Sequence, residues 1–202
     1  MFAGGGGSPS LPQRTLWLAA CIALYILNTT LYSIRFKHAV VLDVISLAAG
    51  FVLRVLGGCA AVGVPPSPML LNVTFFLSMF LAFGKRLGER RTMGDGAASA
   101  RAVQTAYTDE LLRMAVVVTG VATLITYAGY VQDQGTKYEY GFNLLWLTML
   151  PATYGLLRCI VLLERGRYDD PTELASQDRP LQAAALVFAL ITAAVMLGVH
   201  KP

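Results

Sequence analysis

Residues 40–63 read VVLDVISLAAGFVLRVLGGCAAVG, and only two of their side chains, Asp43 and Arg54, are charged. A helix needs about 20 predominantly apolar residues to cross the hydrocarbon core of a bilayer. A single span surrounded by lipid is helical, because only a helix satisfies the hydrogen bonds of its own backbone. This run therefore predicts a transmembrane helix.

The chain as a whole has the same character. It has 202 residues, of which 55% are hydrophobic and 14% are charged, whereas about a quarter of the residues of a soluble domain are charged. This composition excludes a disordered protein and a secreted disulfide scaffold, and it argues against a water-soluble enzyme. Six candidate spans lie at about 15–34, 40–63, 69–84, 112–131, 142–163 and 181–199. We predict an all-α, polytopic transmembrane helix bundle over residues 15–199, preceded by a flexible glycine-rich tail over residues 1–14.

The net charge of +4 is unevenly distributed along the chain. Lysine and arginine are concentrated in the loops after the first, third and fifth candidate spans, while the opposite side holds only Arg14, Lys137 and Lys201. Because loops rich in basic residues remain in the cytoplasm, this pattern places the odd-numbered loops there. The excess of positive charge is therefore explained by the orientation of the spans in the membrane, and no nucleic-acid partner is predicted.

Charged side chains inside a span are costly and need a reason. Asp43 and Arg54 are eleven residues apart in the second span, so helical geometry brings them nearly onto one face. One interpretation is an anion site at the mouth of the helix bundle. The other is a structural arginine that pairs with a neighbouring helix, and the sequence favours neither.

The basic residues at the ends of the spans are candidate phosphate ligands. Lys37 follows the first span, and the run Gly84–Arg91 leaves the third. If that helix continues, Lys85 faces Glu89 and Arg86 faces Arg90, a like-charged pair that repels unless an anion lies between its members. Such a patch beside one carboxylate suits a diphosphate or a phosphosugar. The same charges also fit an ordinary positive-inside cluster.

The last charged loop holds weak candidates for a metal site. Paired carboxylates are oxygen ligands of the kind that Mg²⁺ prefers. The acidic residues of this loop are Asp169, Asp170 and Glu173. More often such a loop is simply solvated, and no metal ligand is assigned with confidence. No Ser–His–Asp or Cys–His arrangement is present either, so no catalytic residue is named.

Several short motifs follow one another along the chain. They are Tyr32-Ser33-x-x-Phe36-Lys37-His38, Gly50-Phe51-Val52-Leu53-Arg54, Gly84-Lys85-Arg86-x-x-Glu89, Tyr107-Thr108-x-Glu110, Tyr154-Gly155-x-x-Arg158 and Pro171-Thr172-Glu173-Leu174. In this order they resemble the UbiA prenyltransferase superfamily, and within it the decaprenyl-phosphate phosphoribosyltransferase branch. The resemblance covers roughly residues 15–199.

The resemblance implies a ring of nine transmembrane helices around a central cavity in a bacterial plasma membrane. Members of this branch move 5-phosphoribosyl from phosphoribosyl diphosphate, held with Mg²⁺, to a polyprenyl phosphate for cell-wall arabinan synthesis. Carried over by position, Lys37, Lys85 and Arg86 would bind the donor phosphates, and Glu89 would orient one of these cations. Tyr32, Asp43 and Arg54 would line the cavity, and Arg158 would meet the phosphate of the acceptor.

One motif of the family has no counterpart here. The run Asn-Asp-x-x-Asp-x-x-x-Asp follows the second helix of the full fold, and this sequence resembles helices four to nine only. Mg²⁺ would therefore lose most of its ligands, and independent activity is in doubt. Three hypotheses stay open: a phosphoribosyltransferase, a non-catalytic remnant or subunit that pairs with a separate N-terminal half or a second copy, and a prenyltransferase using an isoprenyl diphosphate. The basic Gly84–Glu89 region argues against the last.

Overall fold

A computed structural model describes residues 11–93, 107–134, 143–165 and 171–198. In these ranges the chain is helical, without a β-strand. The helices are α1 (Leu11–Ile34), α2 (Leu42–Val62), α3 (Pro68–Met93), α4 (Asp109–Gln134), α5 (Met149–Glu164), α6 (Pro171–Gln177) and α7 (Arg179–Gly198), with 3-10 turns at Phe36–His38 and Leu144–Thr148. By length and composition six of the helices can cross a membrane, α5 together with the turn before it. The predicted all-α, six-span bundle is confirmed. The predicted flexible tail is wrong for residues 11–14, which form the first turn of α1. Residues 1–10 lie outside the described ranges, so the tail stays a prediction there.

Small residues let α2 approach α1 closely. A Cβ atom added at Gly50 would lie 3.5 Å from the Asn28 side chain, and one added at Gly57 would lie 3.6 Å from Cys21 Cβ. At the same contact Asn28 Nδ2 donates to the Ser46 carbonyl, and Ser46 Oγ donates to Asn28 Oδ1, both at 2.9 Å. Short side chains combined with interhelical hydrogen bonds are the usual means of pairing helices in lipid.

The main core lies among α2, α3, α4, α5 and α6. Its buried apolar side chains are Val44, Phe80, Phe83, Leu87, Leu112, Val116, Leu162, Leu163 and Leu174. A second, smaller cluster of Val131, Leu145 and Val195 closes the opposite end of the bundle. By contrast, in each of α1 and α7 only 6% of the residues in the apolar membrane-spanning stretch are buried inside the protein. The exposed apolar faces of these two helices suit contact with lipid chains.

The third and fifth spans differ from the sequence prediction at one boundary each. The third span was expected to end at about residue 84, but α3 continues to Met93, which adds roughly 13 Å of helix. Contacts with the start of α4, described below, hold this extension. The fifth span opens with a 3-10 turn in which the Asn143 side chain accepts a bond from Leu145 N at 3.0 Å. Pro151 falls in the first turn of α5, where its missing N–H removes no helical hydrogen bond.

The charged ends of the spans meet at one end of the bundle. Arg113 near the start of α4 pairs with Glu164 at the end of α5 at 3.2 Å. Other ion pairs link α2 to α3 and α5 to the start of α7. We call this the basic end and define it by the residues Lys37, Lys85, Arg86, Arg90, Arg158 and Arg179. The candidate site lies there.

Candidate functional site at the basic end of the bundle

The Asp43 side chain is buried in the first turn of α2, with 1% of the residue exposed. The guanidinium of Arg86 on α3 donates from Nη2 to Asp43 Oδ2. The other oxygen, Oδ1, accepts from the Tyr107 hydroxyl at 2.7 Å and from Val44 N at 2.8 Å. A buried carboxylate is tolerable only when such partners replace its hydration. Asp43 is thus the centre of a polar cluster that joins three spans.

Tyr107 is the member of this cluster that sequence analysis missed as a site residue. Its ring is 1% exposed and packs edge-on against Phe83, with 6.2 Å between the centroids. Its hydroxyl also accepts a bond from Val41 N at 2.6 Å. Burial raises the pKa of the Tyr107 phenol, and the neighbouring carboxylate of Asp43 adds to the effect. The hydroxyl therefore keeps its proton and acts as a donor to Asp43.

The backbone at Val41 is held in an unusual conformation. Its φ of +70° lies in the left-handed region, which is unfavourable for a β-branched residue. Such conformations cost on the order of 1–3 kcal/mol and persist where surrounding contacts enforce them. The bond from Val41 N to the Tyr107 hydroxyl is one such contact. Tyr107 thus fixes both the carboxylate of Asp43 and the turn that leads into α2.

Arg86 was predicted to bind donor phosphates. Its guanidinium instead faces the protein interior, where its side chain is 9% exposed, pairs with Asp43 and donates to the Ala82 carbonyl at 3.0 Å. The predicted partner at the spacing of one turn, Arg90, points to the start of α4, where it donates to Asp109 and to the Tyr107 carbonyl, both at 2.7 Å. The two arginines therefore bind different carboxylates, which relieves their repulsion without an intervening anion. A phosphate contact by Arg86 stays a prediction.

The remaining predicted phosphate ligands lie near this cluster in the sequence and at the same end of the bundle. Lys85 and Glu89 are half-buried and lie one turn apart on α3, adjacent to Arg86. Lys37 is exposed in the 3-10 turn Phe36–His38, and Tyr32 is half-buried near the end of α1. Their binding roles are predictions that the geometry leaves open.

Arg54 does not join Asp43, although both were placed nearly on one face. Eleven residues of helix separate the two by about 16 Å. The Arg54 guanidinium lies 4.9 Å from the ring centroids of both Tyr25 and Phe51, and Nη2 donates to the Tyr25 hydroxyl at 2.5 Å. Of the two interpretations, these contacts favour the structural arginine that pairs with a neighbouring helix.

Arg158, predicted to meet the acceptor phosphate, forms a two-point ion pair with Asp178. Nε donates to Asp178 Oδ2 at 3.1 Å, and Nη2 donates to Oδ1 at 3.0 Å. Asp178 also caps α7, because its Oδ2 accepts from Leu181 N at 3.0 Å. The pair therefore joins the second half of α5 to the start of α7.

The described residues do not fit a magnesium site. No group of three or more His, Cys, Asp or Glu side chains that could hold a metal occurs in the ranges covered by the structure. Four of the carboxylates placed there pair with cations: Asp43 with Arg86, Asp109 with Arg90, Glu164 with Arg113, and Asp178 with Arg158. The weak metal candidates Asp169 and Asp170 lie outside the described residues, as does the side chain of Glu173.

Comparison with known proteins gives one consistent name. The chain is 30% identical to the decaprenyl-phosphate phosphoribosyltransferase of Mycolicibacterium smegmatis over 177 residues, which is 85% of this chain and 56% of the relative. This chain is a homologue of the decaprenyl-phosphate phosphoribosyltransferases. The enzyme of that name from Corynebacterium glutamicum is 30% identical over 182 residues, covering 89% and 55% of the two chains. The one from Mycobacterium tuberculosis is 27% identical over 184 residues, covering 90% and 59%.

The chain thus spans little more than half the length of the decaprenyl-phosphate phosphoribosyltransferases it matches. The resemblance predicted from the order of the motifs is confirmed. No family model matches the chain.

Proposed function

We propose that this chain forms the basic part of a membrane transferase that moves 5-phosphoribosyl from phosphoribosyl diphosphate to a polyprenyl phosphate. The observation that carries the proposal is its similarity, over 85–90% of its length, to transferases that share one name. The gathering of cationic side chains at one end of six candidate spans supports it. A diphosphate donor needs such cations, and a lipid acceptor needs a membrane.

In the proposed reaction an oxygen of the lipid phosphate attacks the anomeric carbon of the ribose. The bond from that carbon to the diphosphate breaks, and diphosphate leaves with the electron pair. Lys37 and Lys85 would stabilise the charge that develops on the leaving group. Glu89 lies one turn from Lys85 and would hold its ammonium in place. Arg86 and Asp43 would act indirectly, by fixing the end of α3 that carries Lys85.

The resemblance also implies Mg²⁺, but the described residues do not supply a site for it, and no step is assigned to the metal. We propose that the basic end faces the cytoplasm of a bacterial cell, in keeping with the positive-inside rule. The product would then serve cell-wall arabinan synthesis, as the resemblance implies.

The direct test uses membranes that contain this chain, phosphoribosyl diphosphate labelled in the ribose, Mg²⁺ and a polyprenyl phosphate. We expect labelled phosphosugar in the lipid extract and its loss in Lys85→Ala. Lys137→Ala removes the same side chain on the opposite side of the predicted topology and should leave the product unchanged. Lipid product formed from labelled isoprenyl diphosphate instead would establish the prenyltransferase alternative.

A second candidate function is that of a subunit in a split enzyme. The chain spans 55–59% of the relatives it matches, and in this hypothesis another polypeptide supplies the part of their length that it does not match. Product that forms only when a polypeptide bearing the acidic Asn-Asp-x-x-Asp motif is added, and that co-purifies with this chain, would establish this function. Product from the chain alone would exclude it.

A further inference from the structure

An apolar cleft lies between α3, α4, α5 and α7, apart from the Asp43 cluster. Its volume is about 350 Å³, more than twice that of an apolar cavity of about 150 Å³ that holds benzene. The space arises because small residues face it, namely Ala152, Gly155, Ala184 and Ala185. A Cβ atom at Gly155 would meet only Leu181, at 3.5 Å, so larger side chains would fill the cleft rather than clash with backbone.

The wall of the cleft is adapted to a hydrocarbon. Most of its side chains are aliphatic or aromatic, including Leu77, Leu124 and Phe188. Its two hydroxyl groups are satisfied within the protein: Thr123 Oγ1 donates to the Thr119 carbonyl at 2.7 Å, and the Tyr127 hydroxyl bonds to Thr148 Oγ1 at 2.5 Å. A guest therefore meets apolar surface and needs no polar group along its length.

Charged residues lie about one helical turn beyond one end of the cleft, outside its wall. Gly155 in the wall is three residues before Arg158 on α5, and Leu181 in the wall donates its backbone N–H to Asp178. The side chain of Arg158 is 29% exposed and that of Asp178 is 8% exposed, so a ligand that arrives there meets the cation of the pair first. Arg179, the next residue, is exposed as well. The basic end of the cleft thus suits one anionic group.

We propose that this cleft binds the isoprenoid chain of a polyprenyl phosphate, with its phosphate at Arg158 and Arg179. The apolar wall between four spans takes the tail, and the half-buried guanidinium of Arg158 takes the head group from its accessible side. The inference rests on the proposed function for the identity of the lipid. It assigns Arg158 to the acceptor through the cleft that leads to it, and it keeps the acceptor site apart from Lys85.

The experiment uses the full chain in vesicles of phosphatidylcholine. A polyprenyl phosphate with a diazirine on its chain is photolysed, and the labelled peptides are identified by mass spectrometry. We expect label on residues 151–156 and 181–188, and no displacement by a tenfold excess of phosphatidylglycerol. Label concentrated on α1 and α2, or displacement by the phospholipid, would overturn the proposal.

Substitutions in the cleft and at a neighbouring exposed position test whether the label reports binding in the cleft. Ala184→Phe fills the cleft and should lower labelling at least tenfold, whereas Ala183→Phe, the same change at an exposed neighbour, should not alter it. Arg158→Gln should reduce labelling by the phosphate probe but not by the corresponding polyprenol, which lacks the phosphate and reports that the cleft is folded. Equal labelling of both alanine variants would overturn the site.

These outcomes are independent of the proposed function. If labelling follows the expected pattern but no phosphoribosyl transfer occurs, the cleft binds the lipid and the proposed reaction is wrong. If transfer occurs in Ala184→Phe as in the unaltered chain, the reaction is right and the cleft is not the acceptor site.

Discussion

The guanidinium of Arg86 is paired with the carboxylate of Asp43, so that a side chain near the end of α3 reaches the first turn of α2 inside the protein. Both residues were candidates for substrate contact in the sequence. Their pairing gives Arg86 a partner that is present whether or not a substrate is bound. Lys85, the preceding residue, is thereby set beside this buried pair, an arrangement that would preorganise its ammonium for the proposed diphosphate donor.

Breaking this pair should be costly. In Arg86→Ala the carboxylate of Asp43 stays buried without its cation, and we expect a loss of about 3–5 kcal/mol in the free energy of unfolding. Arg113→Ala breaks the more exposed pair with Glu164 and should cost at most about 1 kcal/mol. Chemical unfolding in detergent micelles, followed by circular dichroism, measures both. If the two variants are equally stable, the buried Asp43–Arg86 pair contributes no more to the free energy of unfolding than the exposed pair does.

Tyr107→Phe removes one hydroxyl, which leaves Val41 N without its side-chain acceptor and leaves Asp43 Oδ1 with the bond from Val44 N alone. The expected cost is about 1–3 kcal/mol. Tyr154→Phe, at a half-exposed position on α5, is the matched control and should be nearly neutral.

The same variant should change the pH dependence of stability. Because burial raises the pKa of Tyr107 in the folded state, this phenol stays protonated when the unfolded chain loses the proton at about pH 10. Above this pH the unfolded state therefore binds fewer protons than the folded state. The stabilisation linked to Tyr107 is fully present below about pH 10 and decreases as the pH rises further. Unfolding curves at pH 8 and pH 11 should differ less for Tyr107→Phe than for the unaltered chain. An identical difference in the two proteins would contradict the role of Tyr107.

Asp178 has two structural roles that substitution can separate. Asp178→Asn keeps an oxygen that accepts from Leu181 N but loses the charge opposite Arg158. Asp178→Ala loses both. We expect the alanine variant to be less stable than the asparagine variant by about 1 kcal/mol, the usual contribution of an N-cap. Thermal unfolding of the two proteins decides the matter, and equal melting temperatures would show that the cap contributes nothing.

The orientation of the bundle can be tested with single cysteines. The natural cysteines Cys21, Cys59 and Cys159 are unpaired and are first replaced by alanine. With the basic end in the cytoplasm, a cysteine at the exposed position 165 should react with a membrane-impermeant maleimide only after cells are permeabilised. A cysteine at exposed position 64, at the other end of α2, should react in intact cells. The reverse pattern would invert the topology.

The sequence predicted the elements that depend on local composition. Apolar length located the six spans. Local sequence also accounts for two helix starts: Thr108 Oγ1 accepts from Leu111 N at 3.1 Å, and Pro180 is the second residue of α7.

Partners that come together through packing were not predictable in the same way. Asp43 bonds to residues 43 and 64 positions away, and no periodicity links such positions. Helical geometry placed Asp43 and Arg54 nearly on one face of α2, but it does not show which neighbouring helices that face contacts. In the bundle, the first turn of α2 meets α3, while Arg54 contacts Tyr25 of α1. Which neighbour a helix face meets is a property of the assembled bundle.

The contacts of Arg90 have a practical consequence. This side chain, on the extended end of α3, bonds to the Tyr107 carbonyl and to Asp109. These bonds link α3 to the start of α4 directly, without involving residues 94–106. Cleaving the chain between residues 94 and 106, or inserting a folded tag there, should leave α3 and α4 joined. That segment is therefore the natural place to attach a fiducial domain for electron microscopy or to divide the protein into two separately expressed fragments.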